Sequence, residues 1–301
     1  MTDAIRTRAL TKVYRGGTVA VRELDLSVRA GEVFGFLGPN GAGKTTTIRI
    51  LLDLLRPTSG GAEVLGLDTR RAGVDARRRI GYLPGDLPLY PKLTARETLT
   101  YLAALRGGVA SDSIERLTER LDLPLDRPVG TLSHGNRQKV GLVQAFMHEP
   151  ELLVLDEPTG GLDPLLQQEF HRLVEEVAAD GRTVFLSSHV LSEVERVADR
   201  VGVIRAGRLV ALEEITALQQ RATRRLEVEL ADSVDAAGFA RLPHVREAQA
   251  EGRRLQLVVE GSLDAVVKAL AEHEVVTLTS HEPDLEEFFL DLYRAEPGDA
   301  P

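Results

Sequence analysis

A chain of 301 residues, 43% of them hydrophobic, is long enough for one large domain and a smaller second one. Its formal net charge of -9 argues against a broad nucleic-acid surface, which is built from Lys and Arg contacts to phosphate, and its lack of cysteine excludes disulfides and thiolate metal sites. No run reaches the roughly 18 to 20 apolar residues of a membrane-spanning helix, and Met1 to Arg6 lack the apolar core of a signal peptide, so a soluble, cytosolic chain is expected.

In chain order, Ala20 to Val28 and Glu32 to Leu37 read as strands. Gly38 to Gly43 breaks the second run, and Lys44 to Leu55 carries Ile48, Leu51, Leu52 and Leu55 at helical spacing. Arg77-Arg78-Arg79 reads as a solvated helix face. Helices are expected at Thr94 to Leu105, Ser111 to Leu121 and from about Gly135, together a helical lobe. A buried strand follows at Glu151 to Leu155, then a helix from Leu165 to Ala179 and a strand at Thr183 to Leu186. This β-α-β order predicts a parallel sheet.

Past Ala211 the pattern changes, which sets expected domains at 1–211 and 212–295, with a flexible tail at 296–301. Glu213 to Arg225 reads as a charged connecting helix. Strands are expected at Arg225 to Leu230, Val245 to Ala250, Leu255 to Val259 and Val275 to Leu278, with helices at Val234 to Leu242 and Leu263 to Glu272. The order β-α-β-β-α-β predicts a small ferredoxin-like α+β sandwich. A last amphipathic helix is expected at Leu285 to Tyr293.

The residues Gly38-Pro39-Asn40-Gly41-Ala42-Gly43-Lys44-Thr45-Thr46 contain G-x(4)-G-K-T between a predicted strand and a predicted helix, the context a phosphate-binding loop requires. Its backbone N–H groups and the helix N-terminus attract phosphate. Lys44 is expected to reach the β- and γ-phosphates of ATP, and Thr45 to offer its hydroxyl to Mg²⁺, a hard cation that prefers oxygen. Asp156 and Glu157 end a buried strand, where two carboxylates are costly without a cation or hydrogen bonds. Asp156 is read as the metal partner and Glu157 as the group that orients or deprotonates the attacking water.

With these motifs, the first 210 or so residues resemble the nucleotide-binding subunits of ABC transporters. The resemblance implies an α/β P-loop NTPase fold, with a RecA-like core, a β-subdomain and a helical lobe. Leu132-Ser133-His134-Gly135-Asn136-Arg137-Gln138 is similar to the family's signature segment, with His134 and Asn136 where glycines are usual. The resemblance implies that Ser133 and Gly135 contact ATP held by a second copy, although Ser133 taken alone reads better as an ordinary helix cap. Pro158 to Pro164 resembles the D-loop, with Asp163 communicating across the dimer. His189 matches the switch histidine and is implied to touch the γ-phosphate, and Tyr14 resembles the adenine-stacking aromatic. Gly85 departs from the family, which usually has glutamine there; Asp86 is a neighbouring carboxylate.

The segment from Glu282 to Phe289 resembles the ending of bacterial ATPases that power drug and antibiotic export. The function implied is an ATP-hydrolysing subunit that drives a separately encoded membrane permease for a drug, antibiotic or other small hydrophobic compound. It would act as a homodimer at the cytoplasmic face of the membrane and would not bind nucleic acid. A soluble ABC factor acting on ribosomes or DNA is disfavoured by the single phosphate loop and the absence of sustained heptads. A P-loop kinase or GTPase is disfavoured by the absence of Asn-Lys-x-Asp and by the Ser133 segment, which has no role in those classes.

Overall fold

The computed structural model describes residues 2–221 and 223–281. The expected helix at Leu285 to Tyr293, the segment beginning at Glu282 and the tail at 296–301 lie outside the described residues. The chain divides into two compact units, Met1–Leu212 and Glu213–Pro301.

The first unit holds β1 (Asp3–Val13), β2 (Val19–Arg29), β3 (Val33–Leu37), α1 (Lys44–Leu51), β4 (Ser59–Val64), β5 (Leu67–Asp68), α2 (Gly73–Arg78) and β6 (Ile80–Leu83). It continues through α3 (Ala95–Leu105), α4 (Ser111–Arg120), α5 (His134–Phe146), β7 (Leu152–Asp156), α6 (Pro164–Ala179), β8 (Thr183–Ser188), α7 (Leu191–Glu195) and β9 (Arg200–Arg205). The hairpin partner β10 (Arg208–Glu214) runs into the second unit.

Two sheets organise this unit. One is four-stranded, in the order β2-β1-β4-β5, with antiparallel pairing; the other is six-stranded, in the order β10-β9-β3-β8-β7-β6. In the second sheet β9, β3, β8, β7 and β6 run parallel. Every residue of β3, β7 and β8 is buried, which explains why these strands read as continuous apolar runs rather than as alternation. Phe34 stacks on Phe185 across the β3 and β8 pair and Phe36 packs tilted against the same ring, with Ile48, Ile50 and Leu51 of α1 in the same core. Gly35 permits close packing of α7, because a Cβ there would lie 2.1 Å from Val194 Cγ1.

The helical segments have clear local causes. Thr94 caps α3 with a full capping box to Glu97, Ser133 caps α5, and Asp163 caps α6 ahead of Pro164. Helix α1 ends at Leu51 rather than at the expected Leu55, because Asp53 turns to φ 55° and the chain leaves the helix.

The second unit holds α8 (Ile215–Arg221), β11 (Thr223–Leu230), α9 (Ala236–Phe239), β12 (Val245–Glu251), β13 (Arg254–Glu260), α10 (Asp264–Leu270) and β14 (Val275–His281). Its sheet order is β12-β13-β11-β14, antiparallel at every pair. Inward residues Leu226, Val228, Leu230, Leu255, Leu257 and Val259 pack with Phe239, Val266 and Leu270. The expected connecting helix from Glu213 to Arg225 is shorter than its composition suggests. Glu213 and Glu214 finish β10, and Thr223 to Arg225 pair with Val258 to Glu260, so ladder hydrogen bonds override helical propensity at both ends.

Among the described residues no helix is long and apolar enough to cross a membrane.

Candidate functional site

Parallel strands deliver their carboxyl ends to one edge of a sheet, and that edge carries the chemistry here. Strand β3 runs into Gly38 to Gly43, β6 into Gly85, β7 ends at Asp156 beside Glu157, and β8 ends at Ser188 before His189. The register aligns Leu37 with Ser188, Asp156 with Ser187 and Leu83 with Leu155, so residues far apart in the chain become neighbours.

The loop after β3 needs its glycines for different reasons. A Cβ on Gly38 would lie 2.4 Å from the Ile204 carbonyl oxygen, and one on Gly43, at φ 112°, would lie 2.3 Å from that of Ala20. Gly41 lies in open space at φ 80°, where only conformation restricts it. Gly43 is the N-cap of α1 and provides no side-chain cap, so the first helical N–H groups are left to an outside acceptor. Lys44, 6% exposed, donates to the carbonyls of Gly38 at 2.5 Å and Pro39 at 3.4 Å. Its Nζ also lies 3.2 Å from Glu157 Oε1.

Glu157 stands at φ 51°, a conformation a non-glycine residue keeps only when it is held. Its N–H donates to the Ser187 carbonyl at 3.1 Å, and its Oε2 lies 2.8 Å from His189 Nδ1. With a carboxylate as acceptor, that geometry puts the proton on Nδ1 and leaves Nε2 of a neutral ring as an acceptor. Glu157 Oε1 is buried without a hydrogen-bond partner; its approach to Lys44 is an ion-pair distance rather than a hydrogen bond. Asp156, 1% exposed, accepts the Ser187 hydroxyl on Oδ1 at 2.6 Å. A Cβ built on Gly85 would meet Asp156 Oδ2 at 3.4 Å, an ordinary contact distance, while Asp86 is exposed. Burial, and secondarily the charge of Asp156, pushes the Tyr82 phenol up to about 12.

Tyr14 is 38% exposed, and its hydroxyl lies 3.3 Å from Thr46 Oγ1, with Lys12 Nζ 5.5 Å from its ring centre. Thr45 and Thr46 are half-buried on the first turn of α1. The structure therefore brings Tyr14, Lys44, Thr46, Asp156, Glu157 and His189 around one loop. Ser133 and Gly135 lie elsewhere. They line a cleft of about 660 Å³ together with Gly161 and Asp163, and no residue from Gly38 to Thr46 borders it. Ser133 accepts the Asn136 N–H at 3.2 Å as the cap of α5, and a Cβ on Gly135 would lie 2.7 Å from the Gly161 carbonyl oxygen. The His134 ring packs against Gly161, where a Cβ would fall 2.2 Å from Cδ2.

Several contacts around the site follow from no motif, including those of Gln138 at the end of the signature segment. Gln138 donates from Nε2 to the carbonyls of Glu157 at 3.3 Å and Pro158 at 3.0 Å, tying α5 to the loop after β7. Gln144 donates to the Tyr82 carbonyl. Arg200 and Glu32, 10% and 8% exposed, pair at 3.1 Å. Only strand register and helix packing bring these partners together.

The arrangement suits a polyanion. A buried cation, free N–H groups at a helix start and glycine backbone all face one place, with a carboxylate oxygen lacking a partner beside them. Comparison with known proteins agrees with this chemistry. Residues 21–160 match the ABC transporter family. The bacitracin transport ATP-binding protein BcrA of Bacillus licheniformis is 37% identical over 97% of this chain and 98% of its own length. A fluoroquinolones export ATP-binding protein of Mycobacterium tuberculosis is 35% identical over 97% of this chain and 93% of its own. A solved ATP-binding subunit of an ABC transporter superposes with a TM-score of 0.66 at 31% identity, over 72% of this chain and 92% of that one. The chain belongs to the ABC transporter family, among its ATP-binding proteins.

Proposed function

We propose that the chain hydrolyses ATP to power the export of a drug, antibiotic or other small hydrophobic compound through a separate membrane permease. The observation that carries the catalytic part is the array of Lys44, Glu157 and His189, linked at 3.2 and 2.8 Å at one end of a parallel sheet. Lys44 neutralises the terminal phosphates, which requires it to exchange its bonds to Gly38 and Pro39 for phosphate oxygens. Glu157 orients and deprotonates the attacking water, with Oε1 as the basic atom. His189 holds Oε2 through Nδ1–H and keeps Nε2 for the γ-phosphate region. Tyr14 stacks on the base. Thr45 and Asp156 are the residues that would hold Mg²⁺, which would supply positive charge to offset that of the phosphates. Most of the rate enhancement in such a site comes from positioning and charge.

Ser133 and Gly135 act on the ATP of a second copy. Their separation from the phosphate loop within one chain supports this, as does the cleft they form with Asp163. Two chains related by a two-fold axis would complete two sites. Solved relatives include a dimeric cassette in a post-hydrolysis state with ADP and Pi, which at 23% identity supports the fold only. The export reading rests on the two relatives that match this chain over 97% of its length.

The permease reading has its own support in the helical lobe. Tyr90, Pro91, Lys92, Leu93 and Tyr101 line a hollow of about 420 Å³ whose exposed surface is apolar, and Tyr90 and Tyr101 are 60% and 45% exposed. On this reading the permease holds the chain at the cytoplasmic face of the membrane. Light scattering of Glu157→Gln tests the shared site: the variant should be dimeric with MgATP and monomeric without it, whereas a monomer in both conditions would contradict the reading.

A further inference from the structure

Ser187 is completely buried in β8, in register with Asp156 on one side and Phe36 on the other. A hydroxyl there is costly unless both its donor and its acceptor are used. Both are used on the two acidic residues: the hydroxyl donates to Asp156 Oδ1 at 2.6 Å and accepts the Glu157 N–H at 3.3 Å. The Ser187 carbonyl takes that same N–H at 3.1 Å, which holds Glu157 at φ 51°. With Oδ1 engaged, Asp156 presents Oδ2 toward Gly85.

We infer that Ser187 is a positioning residue: its hydroxyl selects Oδ2 of Asp156 as the metal-facing oxygen and fixes the Glu157 backbone so that Oε1 stays toward Lys44. This rests on the proposed role of Asp156 at Mg²⁺. Ser187 touches neither nucleotide nor metal; it acts through its two neighbours. An alanine would fill nearly the same space but leave Asp156 free to turn and Glu157 held by one acceptor rather than two.

The test compares full-length wild type, Ser187→Ala, Ser187→Thr, Ser187→Cys and Asp156→Asn by calorimetric titration of ADP, once with Mg²⁺ and once in EDTA, alongside steady-state ATP turnover. For Ser187→Ala, affinity in EDTA should stay within about twofold of wild type, and the gain conferred by Mg²⁺ should fall about tenfold. Its kcat should fall roughly 10- to 100-fold with a smaller change in KM, as expected for losing a hydrogen bond to a charged group. Ser187→Thr keeps the hydroxyl and should restore the Mg²⁺ gain to within about threefold; Ser187→Cys, with a weak donor, should be intermediate. An unchanged Mg²⁺ gain in Ser187→Ala, or an equal loss with and without Mg²⁺, would overturn the inference, the second by reducing Ser187 to packing. If Asp156→Asn keeps the full Mg²⁺ gain, the reading of Asp156 fails and takes the inference with it. A loss in Asp156→Asn with none in Ser187→Ala would sink Ser187 alone.

Discussion

The two units of the chain bury different things. Among the described residues, every buried polar or charged side chain lies at or before Arg200, including Lys44, Asp156, Ser187 and Ser188. The core of the second unit is built from leucine, valine and phenylalanine on an antiparallel sheet. Burying polar groups costs free energy unless each is paired, so a structure that does so repeatedly at the ends of parallel strands spends stability on a site. Among its described residues the second unit buries no polar or charged side chain.

This contrast can be broken in either unit, and the largest effect belongs to Lys44. Lys44→Ala removes the buried cation while leaving its carbonyl partners and Glu157 in place, and should lower ATP turnover by at least about a thousandfold. Nucleotide titration and steady-state rates measure this; near-normal turnover would remove the loop after β3 from the chemistry. Next comes the buried pair. Arg200→Ala leaves Glu32 without its cation and strips the guanidinium from the Phe34 ring, so it should cost about 3 to 5 kcal/mol in denaturant unfolding. In the second unit, Leu257→Ala opens a cavity in a purely apolar core and should cost about 2 to 4 kcal/mol. It should leave nucleotide affinity in the folded chain unchanged, and a large drop in that affinity would refute the division of labour. The smallest effect is expected at Asp86, which is exposed beside Gly85. Asp86→Ala should hydrolyse ATP within about twofold of wild type across a Mg²⁺ titration; a deficit that excess Mg²⁺ does not restore would put this carboxylate in the site.

What the sequence makes legible is local. The strand, loop and helix around Lys44 are readable because glycine spacing and helical periodicity operate over a dozen residues. The β-α-β order around Asp156 is readable because buried parallel strands are continuous apolar runs. The antiparallel ladder of the second unit is readable as alternation in stretches such as Leu255 to Val259. The contacts that assemble the site are not local. Ser187 lies 31 positions from Asp156, and Arg200 lies 168 from Glu32; no motif links either pair, and only sheet register makes them neighbours. The connecting helix is shorter than its charge pattern predicts because Thr223 to Arg225 pair with β13.

Glu157→Gln isolates the catalytic carboxylate, because it keeps the shape and the His189 contact geometry while removing the basic oxygen that faces Lys44. ATP binding and ATP turnover should be measured on the same preparation. Affinity should stay within about threefold of wild type and turnover should fall by at least about a hundredfold, in the range that general-base catalysis contributes. Turnover within about twofold of wild type, with binding intact, would contradict the catalytic role of Glu157.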